Sequence, residues 1–296
     1  MTAGPTERVP SVSVVLPFFN EQRFLEGAVD SVRGQRDVDW ELLLVDDGSD
    51  DGSGQLADRI AAGDADRIRV LRHPGGTNRG LPESRNLGLR HARAEIVAFL
   101  DADDRWLPAK LGRQLDAFGE HRDVALAVGP VIRRPVDGGP DELREITPGA
   151  PRVFRPGQFV RDLLWGPVDP PSPSSAAYRT AALRAVGGVP VGDNLYEDQR
   201  TYAVVSMRHA VYVDSEPLAI YTVRPDSLYG SIVDHPHVTF GNQMRFQQWV
   251  VRTGLRGGRH GIAISAETAA RRAKARARHS APWQAVRRII GRRGAE

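Results

Sequence analysis

Between residues 12 and 131 the chain alternates apolar runs with amphipathic segments, strand then helix, four times over. Residues 12–16 are a β-branched run ending at Pro17, and 41–45, 68–71, 96–100 and 125–131 read as further buried strands. Between the first two, Leu25, Ala28, Val29 and Val32 fall on one helical face, with Asn20 as the candidate N-cap. Leu56 and Ile60 mark a second helix, and Gly80 opens a third that carries Ser84, Arg85, Asn86 and Leu89. Leu107, Leu111, Leu115 and Phe118 mark a fourth at i, i+4, i+8 and i+11. This order predicts a mostly parallel sheet with helices on both faces, whose ligands bind beyond the carboxyl ends of the strands.

Two of those strands run into dense acidic turns, Asp46-Asp47-Gly48-Ser49-Asp50-Asp51-Gly52 and Asp101-Ala102-Asp103-Asp104. Alternate side chains of extended backbone share a side, so Asp101 and Asp103 can meet one cation. A hard ion such as Mg²⁺ or Mn²⁺ suits them, because it takes one or two carboxylates and completes its shell with water and substrate phosphates. A polar turn of solvated acids is the alternative. With no cysteine in the chain, disulfides, thiolate zinc sites, iron–sulfur clusters and a cysteine nucleophile are excluded. Asp47, Ser49, Asp51, Gly52 and Asp58 also fit places of an EF-hand loop. That motif, however, needs a helix where a strand stands and Glu where Asp58 stands. No P-loop, no G-x-G-x-x-G after a strand, no G-x-S-x-G elbow and no H-E-x-x-H occurs.

Past residue 132 the pattern thins. Residues 133–151, rich in Gly, Pro and charge, and 167–175, with four prolines, are expected to be loops. Residues 158–165, 181–186 and 196–207 read as helices, with Gly187-Gly188 as a C-cap, and 211–213 and 218–221 read as strands. From Arg252 onward there are 12 basic and 2 acidic residues, against 28 basic and 35 acidic before it. A basic tail on an acidic body points either to an anionic contact or to a solvated extension. Residues 266–279 alternate alanine with arginine and favour a helix. After Pro282, the residues Trp283, Val286, Ile289 and Ile290 form an apolar face beside arginines, the pattern of an interfacial helix. Residues 266–293 are therefore a candidate peripheral contact with an anionic membrane, with packing on the domain, dimerisation or disorder as alternatives. The acidic body argues against specific nucleic-acid binding. The first ten residues hold no apolar leader core, and no run approaches the ~18 apolar residues of a span. The expectation is a cytoplasmic protein, peripheral at most to the inner membrane surface.

Four stretches in register resemble glycosyltransferase family 2. Ser13-Val14-Val15-Leu16-Pro17-Phe18-Phe19-Asn20-Glu21 is similar to its opening strand, and Leu44-Val45-Asp46-Asp47-Gly48-Ser49-Asp50-Asp51 to its second strand and acidic turn. Asn78, Gly80 and Ser84-Arg85-Asn86-Leu87-Gly88 resemble the helix before the metal strand. Residues 96–104, followed by Trp106, Pro108 and Lys110-Leu111, resemble the metal motif itself. More thinly, Ser174-Ser175 through Gly187-Gly188 resembles an acceptor-side segment, Tyr196-Glu197-Asp198 the acidic pair, and 218–221 with Pro225 and Ser227 the strand that closes the site.

The resemblance implies a GT-A fold: α/β, with a Rossmann-like, mostly parallel sheet flanked by helices, a smaller acceptor-side subregion and a helical C-terminal extension. It implies a catalytic domain over 9–235, made of a nucleotide-sugar half (9–132) and an acceptor half (133–235), and a basic extension over 236–296. It implies inverting, non-processive transfer of a sugar from a nucleotide diphosphate, most commonly UDP, to a glycan or lipid-linked acceptor, with Mn²⁺ or Mg²⁺ as cofactor. Asp103 is then the direct metal ligand and Asp101 contacts the metal or the ribose. Asp47 accepts from the nucleotide base, with Arg85 nearby, and Pro17, Phe18, Phe19 and Glu21 line the base pocket, although core packing is the alternative for Phe18 or Phe19. Ala102 joins the donor-binding residues. Asp198 is the candidate general base, supported by Glu197, and Trp165 a candidate sugar platform or lid residue. Arg224 departs from the pattern, since the family often has His there; an arginine cannot bind a cation but can hold a phosphate oxygen. The Q-x-x-R-W segment of processive synthases is absent. A polyprenyl-phosphate sugar synthase and a non-catalytic nucleotide-sugar or nucleic-acid binding module are the competing readings.

Overall fold

Strand β1 (Val12–Phe18) is buried along its whole length in the computed structural model, which describes residues 9–192, 196–225, 236–254 and 258–278. So is β2 (Trp40–Asp46) beside it. Both read as continuous apolar runs because parallel interior strands are covered on both faces. Their side chains alternate between two cores. Val12, Val14 and Leu16 join Leu42, Leu44 and Ala98 on one side. Val15, Leu43, Val45, Val97 and Phe99 look to the other. The helices α1 (Leu25–Arg33), α2 (Ser53–Ala62), α3 (Leu81–His91) and α4 (Lys110–Glu120) alternate with β3 (Ile68–Arg72), β4 (Ile96–Phe99), β5 (Arg105–Trp106) and β6 (Val124–Val128). Helix α3 lies so close on β1 that a Cβ added to Gly88 would stand 2.2 Å from Cγ1 of Val15.

The later elements are β7 (Val131–Pro135), β8 (Glu142–Arg144), β9 (Arg152–Phe154), α5 (Gln158–Trp165), β10 (Ala177–Arg179), α6 (Thr180–Ala185), α7 (Glu197–Ser206), β11 (Ala210–Val213), β12 (Ala219–Val223), α8 (Pro236–Gly254) and α9 (Gly258–Arg278). The central sheet has the order β3-β2-β1-β4-β10-β6-β11-β9. Strands β3, β2, β1 and β4 run parallel, as do β6 and β11. Strand β10 is antiparallel to both its neighbours, β4 and β6. A second sheet, β5-β12-β7-β8, stands beside it.

The structure corrects three expectations. Residues 125–131 are two strands, broken at Gly129-Pro130, that belong to different sheets. Residues 133–151 are partly ordered as a hairpin, because β7 pairs with β8 from Val131↔Arg144 to Arg133↔Glu142. Asn20 does not cap α1, whose N-cap is Phe24. It sits in the left-handed region with φ 57° and exchanges two 2.9 Å hydrogen bonds with Asp50, clamping the first loop to the acidic turn.

The third apolar cluster ties the C-terminal helices down. Val160 and Leu164 of α5 and Ala203 of α7 with Met207 pack on Phe246 and Val250 of α8 and Ile264 of α9. The basic 266–278 stretch is helical as expected, whereas Trp283–Arg293 lies outside the described residues. Ser227 lies outside them too. Among the described residues no helix is long and apolar enough to cross a membrane.

Candidate active site

Parallel register brings the acidic turns to one edge. Phe18 pairs with Asp46 and Val15 with Phe99. Asp47 N donates to Phe18 O at 2.9 Å, and Leu100 N to Val15 O at 3.1 Å. The 19–21 loop, the Asp47 turn and the Asp101–Asp104 turn therefore share the carboxyl end of the sheet. Pro17 and Phe18 are buried, whereas Phe19 is 45% exposed. Core packing claims Phe18, and Phe19 is the ring left open to a ligand.

Asp47 is 4% exposed and held by backbone. Its two oxygens accept from Arg79 N at 2.7 Å and Gly80 N at 2.9 Å. His73 Nε2 lies 3.5 Å away and shares a 2.8 Å hydrogen bond with Ser84 Oγ. Gly80, with φ 88°, is the N-cap of α3. The turn that delivers α3 therefore fixes the Asp47 carboxylate.

Arg85, on α3, is 2% exposed and joins regions far apart in the chain. Nη2 donates to Asp101 Oδ1 at 2.6 Å and Nη1 to Glu197 Oε1 at 2.8 Å. Burial opposes its charge, but Asp101 and then Glu197 outweigh that and push its pKa above the ordinary arginine value. Such a buried fork suits arginine, because its planar donors reach two acceptors at fixed angles.

Asp103 and Asp104 diverge. Arg224 Nε lies 3.0 Å from Asp103 Oδ2, while the same guanidinium grips Glu21 through Nη1 and Nη2. Burial and then the neighbouring Asp101 raise the Asp103 carboxyl to about 6, against the pull of Arg224. Asp104, 1% exposed, is structural. Its oxygens accept from Ser174 Oγ at 2.6 Å and Thr222 N at 2.9 Å. Ser174 Oγ accepts in turn from Asp101 N at 3.1 Å. Asp104 and Ser174 lie inside the matched segments, but neither they nor Thr222 carry a role that the sequence alone reveals. Beneath them Trp106 Nε1 donates to Ser174 O at 2.7 Å, and Lys110, 0% exposed, donates to Gln114 Oε1 at 2.7 Å.

The residues present fit a divalent cation. Asp101 and Asp103 follow β4 in a turn rather than in the extended backbone expected, and burial and then the charge of Asp101 raise the Asp103 carboxyl. Among the described residues no three His, Asp or Glu side chains converge as a complete cage. A site of two carboxylates completed by substrate phosphates is the kind Mg²⁺ adopts. Ala102 sits between them, 5% exposed.

Glu197 and Asp198 open α7. Glu197 is 6% exposed, and burial raises its carboxyl although Arg85 opposes this. Asp198 keeps part of its surface open and accepts from Gln199 N at 2.7 Å. Desolvation and then the charge of Glu197 raise it to about 7. Buried Tyr178 and Tyr202 lie within reach of its charge. The preceding Tyr196 is the N-cap with φ 63°, a conformation that costs a non-glycine residue about 1–3 kcal/mol. Trp165 ends α5 half-buried in the third cluster, with the guanidinium of Arg271 5.2 Å from its ring centroid. A helix of the C-terminal extension thus covers one face of the candidate platform.

Comparison with known proteins follows the same lines. The family model for Glycosyl transferase family 2 matches residues 13–187, more than half of the chain. The uncharacterized glycosyltransferase EpsJ of Bacillus subtilis is 41% identical over 96 residues, 32% of this chain and 27% of that protein. The UDP-Glc:alpha-D-GlcNAc-diphosphoundecaprenol beta-1,3-glucosyltransferase WfgD of Escherichia coli is 32% identical over 104 residues, 35% of this chain and 39% of that one. The chain spans well under half the length of these curated relatives. Among solved structures, residues 1–349 of TarS from S. aureus in complex with UDP superpose with a TM-score of 0.65 at 20% identity, over 87% of this chain and 70% of that one. The mannosyltransferase PcManGT from Pyrobaculum calidifontis, in complex with GDP-Man and Mn²⁺, gives 0.56 at 20% identity over 100% of this chain and 84% of that one. These neighbours share the GT-A fold that the resemblance implies. The chain belongs to glycosyl transferase family 2.

Proposed function

We propose that this enzyme moves one sugar per turnover from a nucleoside diphosphate, UDP above all, to a hydroxyl of a glycan or lipid-linked glycan, with inversion at the anomeric carbon. The observation that carries this reading is the Arg85 fork, which joins Asp101 at 2.6 Å to Glu197 at 2.8 Å. It holds the donor-side carboxylates and the acid pair as one unit. A UDP complex of a structural neighbour supports the donor class, and the name of WfgD supports a lipid-linked acceptor for cell-envelope glycan synthesis.

Each residue has a chemical task. Phe19, Glu21 and Asp47 border the place of the nucleotide base, and Asp101, Ala102 and Asp103 that of the diphosphate. Asp103, with Asp101, holds Mn²⁺ or Mg²⁺; when bound, the cation supplies Lewis-acid stabilisation for charge developing on the leaving diphosphate. Arg224 is placed to meet a phosphate oxygen once it leaves Asp103. Asp198, raised toward neutrality, accepts the proton of the attacking hydroxyl as general base. Glu197 keeps Arg85 anchored beside it. Direct displacement by that hydroxyl inverts the carbon it attacks. Residues 9–235 make up the catalytic unit, with donor and acceptor halves meeting near 132, and 236–296 extend it.

Asp198→Asn is the test. Transfer, followed with UDP-, GDP- and dTDP-sugars and Mn²⁺, is expected to fall by ~10²–10⁴, with donor affinity by calorimetry unchanged. Undiminished turnover removes the assignment. Chelation by EDTA is expected to stop transfer, and Mn²⁺ to restore it.

A further inference from the structure

The acid pair rests on the C-terminal extension. Tyr196, directly before Glu197 and Asp198, adopts a left-handed conformation that tyrosine rarely takes. Its ring stacks on Phe246 of α8, with centroids 5.9 Å apart and planes at 15°. Phe246 is 3% exposed. One turn on, the guanidinium of Arg200 lies 5.5 Å from the ring centroid of Trp249. Beyond that, Ala203 and Met207 share a cluster with Val250 and Ile264. Positions 196, 200, 203 and 207 are one helical face, and 246, 249 and 250 are one face of α8. Helix α7 therefore presents its first turn to Arg85 and its outer face to α8.

We propose that Phe246 is a positioning residue for sugar transfer: by holding Tyr196 in its left-handed conformation it sets the direction of the first turn of α7, and so where Asp198 meets the acceptor hydroxyl. The inference rests on the base assignment made above for Asp198. Displacing a catalytic group by ~1 Å can cost about a hundredfold in rate, so a ring outside the site can govern turnover. It also gives the extension a role in catalysis, although the family match ends at residue 187.

Val250 supplies the control. It is 0% exposed in the same cluster, one turn along α8 from Phe246, so Val250→Ala loses packing while keeping the Tyr196–Phe246 ring stack. In the full chain, Phe246→Ala is expected to speed amide hydrogen exchange at Gln199 and Arg200 at least tenfold. It should lower kcat at least tenfold, with the donor KM within twofold, and Phe246→Tyr should restore both. Val250→Ala should melt earlier yet keep kcat within twofold below its transition. Turnover is read as nucleoside diphosphate release from UDP-, GDP- and dTDP-glucose with Mn²⁺, with water as the attacking hydroxyl, using the donor turned over fastest. Unchanged exchange in Phe246→Ala, or an equal kcat loss in Val250→Ala, overturns the proposal. Asp198→Asn run alongside separates the two failures. An active Asp198→Asn removes the base assignment, whereas an inactive one beside a fully active Phe246→Ala removes the positioning role alone.

Discussion

Nε of Arg224 lies 3.0 Å from Oδ2 of Asp103, the carboxylate assigned to the cation. A fixed positive charge thus faces the group proposed to engage the cation. Arg224→Gln is expected to tighten Mn²⁺ binding in the absence of nucleotide by tenfold or more, since unit charges ~4 Å apart interact by about 4 kcal/mol at an effective dielectric of about 20. The same variant should weaken donor binding, because a phosphate partner is lost. Mn²⁺ titration by electron paramagnetic resonance and donor calorimetry read the two effects separately. Equal Mn²⁺ affinity in both proteins would show that Arg224 and the cation do not compete.

The pH dependence follows from Asp198. A general base works ionised, and burial with the charge of Glu197 raises this carboxyl to about 7. Turnover at saturating donor is therefore expected to rise with pH, from about a tenth of its plateau at pH 6 to nearly full rate at pH 8. A limb centred near the ordinary carboxylate range, around pH 4, would move the role to a different group.

Arg85 is expected to tolerate no replacement. Arg85→Ala strands Asp101 and Glu197 without their buried partner, a loss of ~3–5 kcal/mol, which corresponds to a fall in Tm of roughly 10 °C for a chain of this size. Arg85→Lys keeps the charge, but one ammonium cannot span acceptors on the turn after β4 and on α7 as the two Nη atoms do. Its melting should fall less than that of Arg85→Ala, while turnover falls at least tenfold. Thermal melts and initial rates distinguish the two variants.

Lys110 gives a stability test away from the chemistry. Burial pushes its pKa well below the ordinary lysine value. The folded chain thus binds fewer protons here than the unfolded chain, so this position adds stability as pH rises and costs stability as pH falls. Lys110→Met is expected to raise Tm at pH 7 by a few degrees and to flatten the rise in Tm between pH 7 and pH 9. Parallel melts of both proteins at the two pH values check it. A steeper rise in the variant would contradict the sign.

The donor half was legible because its strands are buried on both faces and its helices on one. Both patterns leave period and composition in a single stretch of chain. The Asp47 and Asp101–Asp103 turns were legible because a carboxylate cluster straight after a buried strand has few structural reasons to exist. What the chain hid lies at long separations. Strand β10 is three residues long and pairs with β4 some 80 residues back, so no local signal marks it. The Arg85–Glu197 bond spans 112 residues and the Arg224–Glu21 pair 203. The resemblance named all four residues without pairing them. The hydrogen bonds that join Asp104 to Ser174 and Thr222 leave no local signal, because the partners stand 70 and 118 residues away. The C-terminal helices looked like an appendage because the last of them alternates alanine with basic residues.

The placement of β10 bears on how such enzymes can be recombined. The strand comes from the acceptor half yet fills the slot between β4 and β6 of the donor half. A chimaera joined at residue 132 would take β4 and β6 from one parent and the strand between them from the other. Any misfit there leaves two open strand edges, the surface on which chains aggregate. The two halves are interlaced rather than modular. New acceptor preferences are therefore more accessible through changes in the surface loops than through exchange of whole halves.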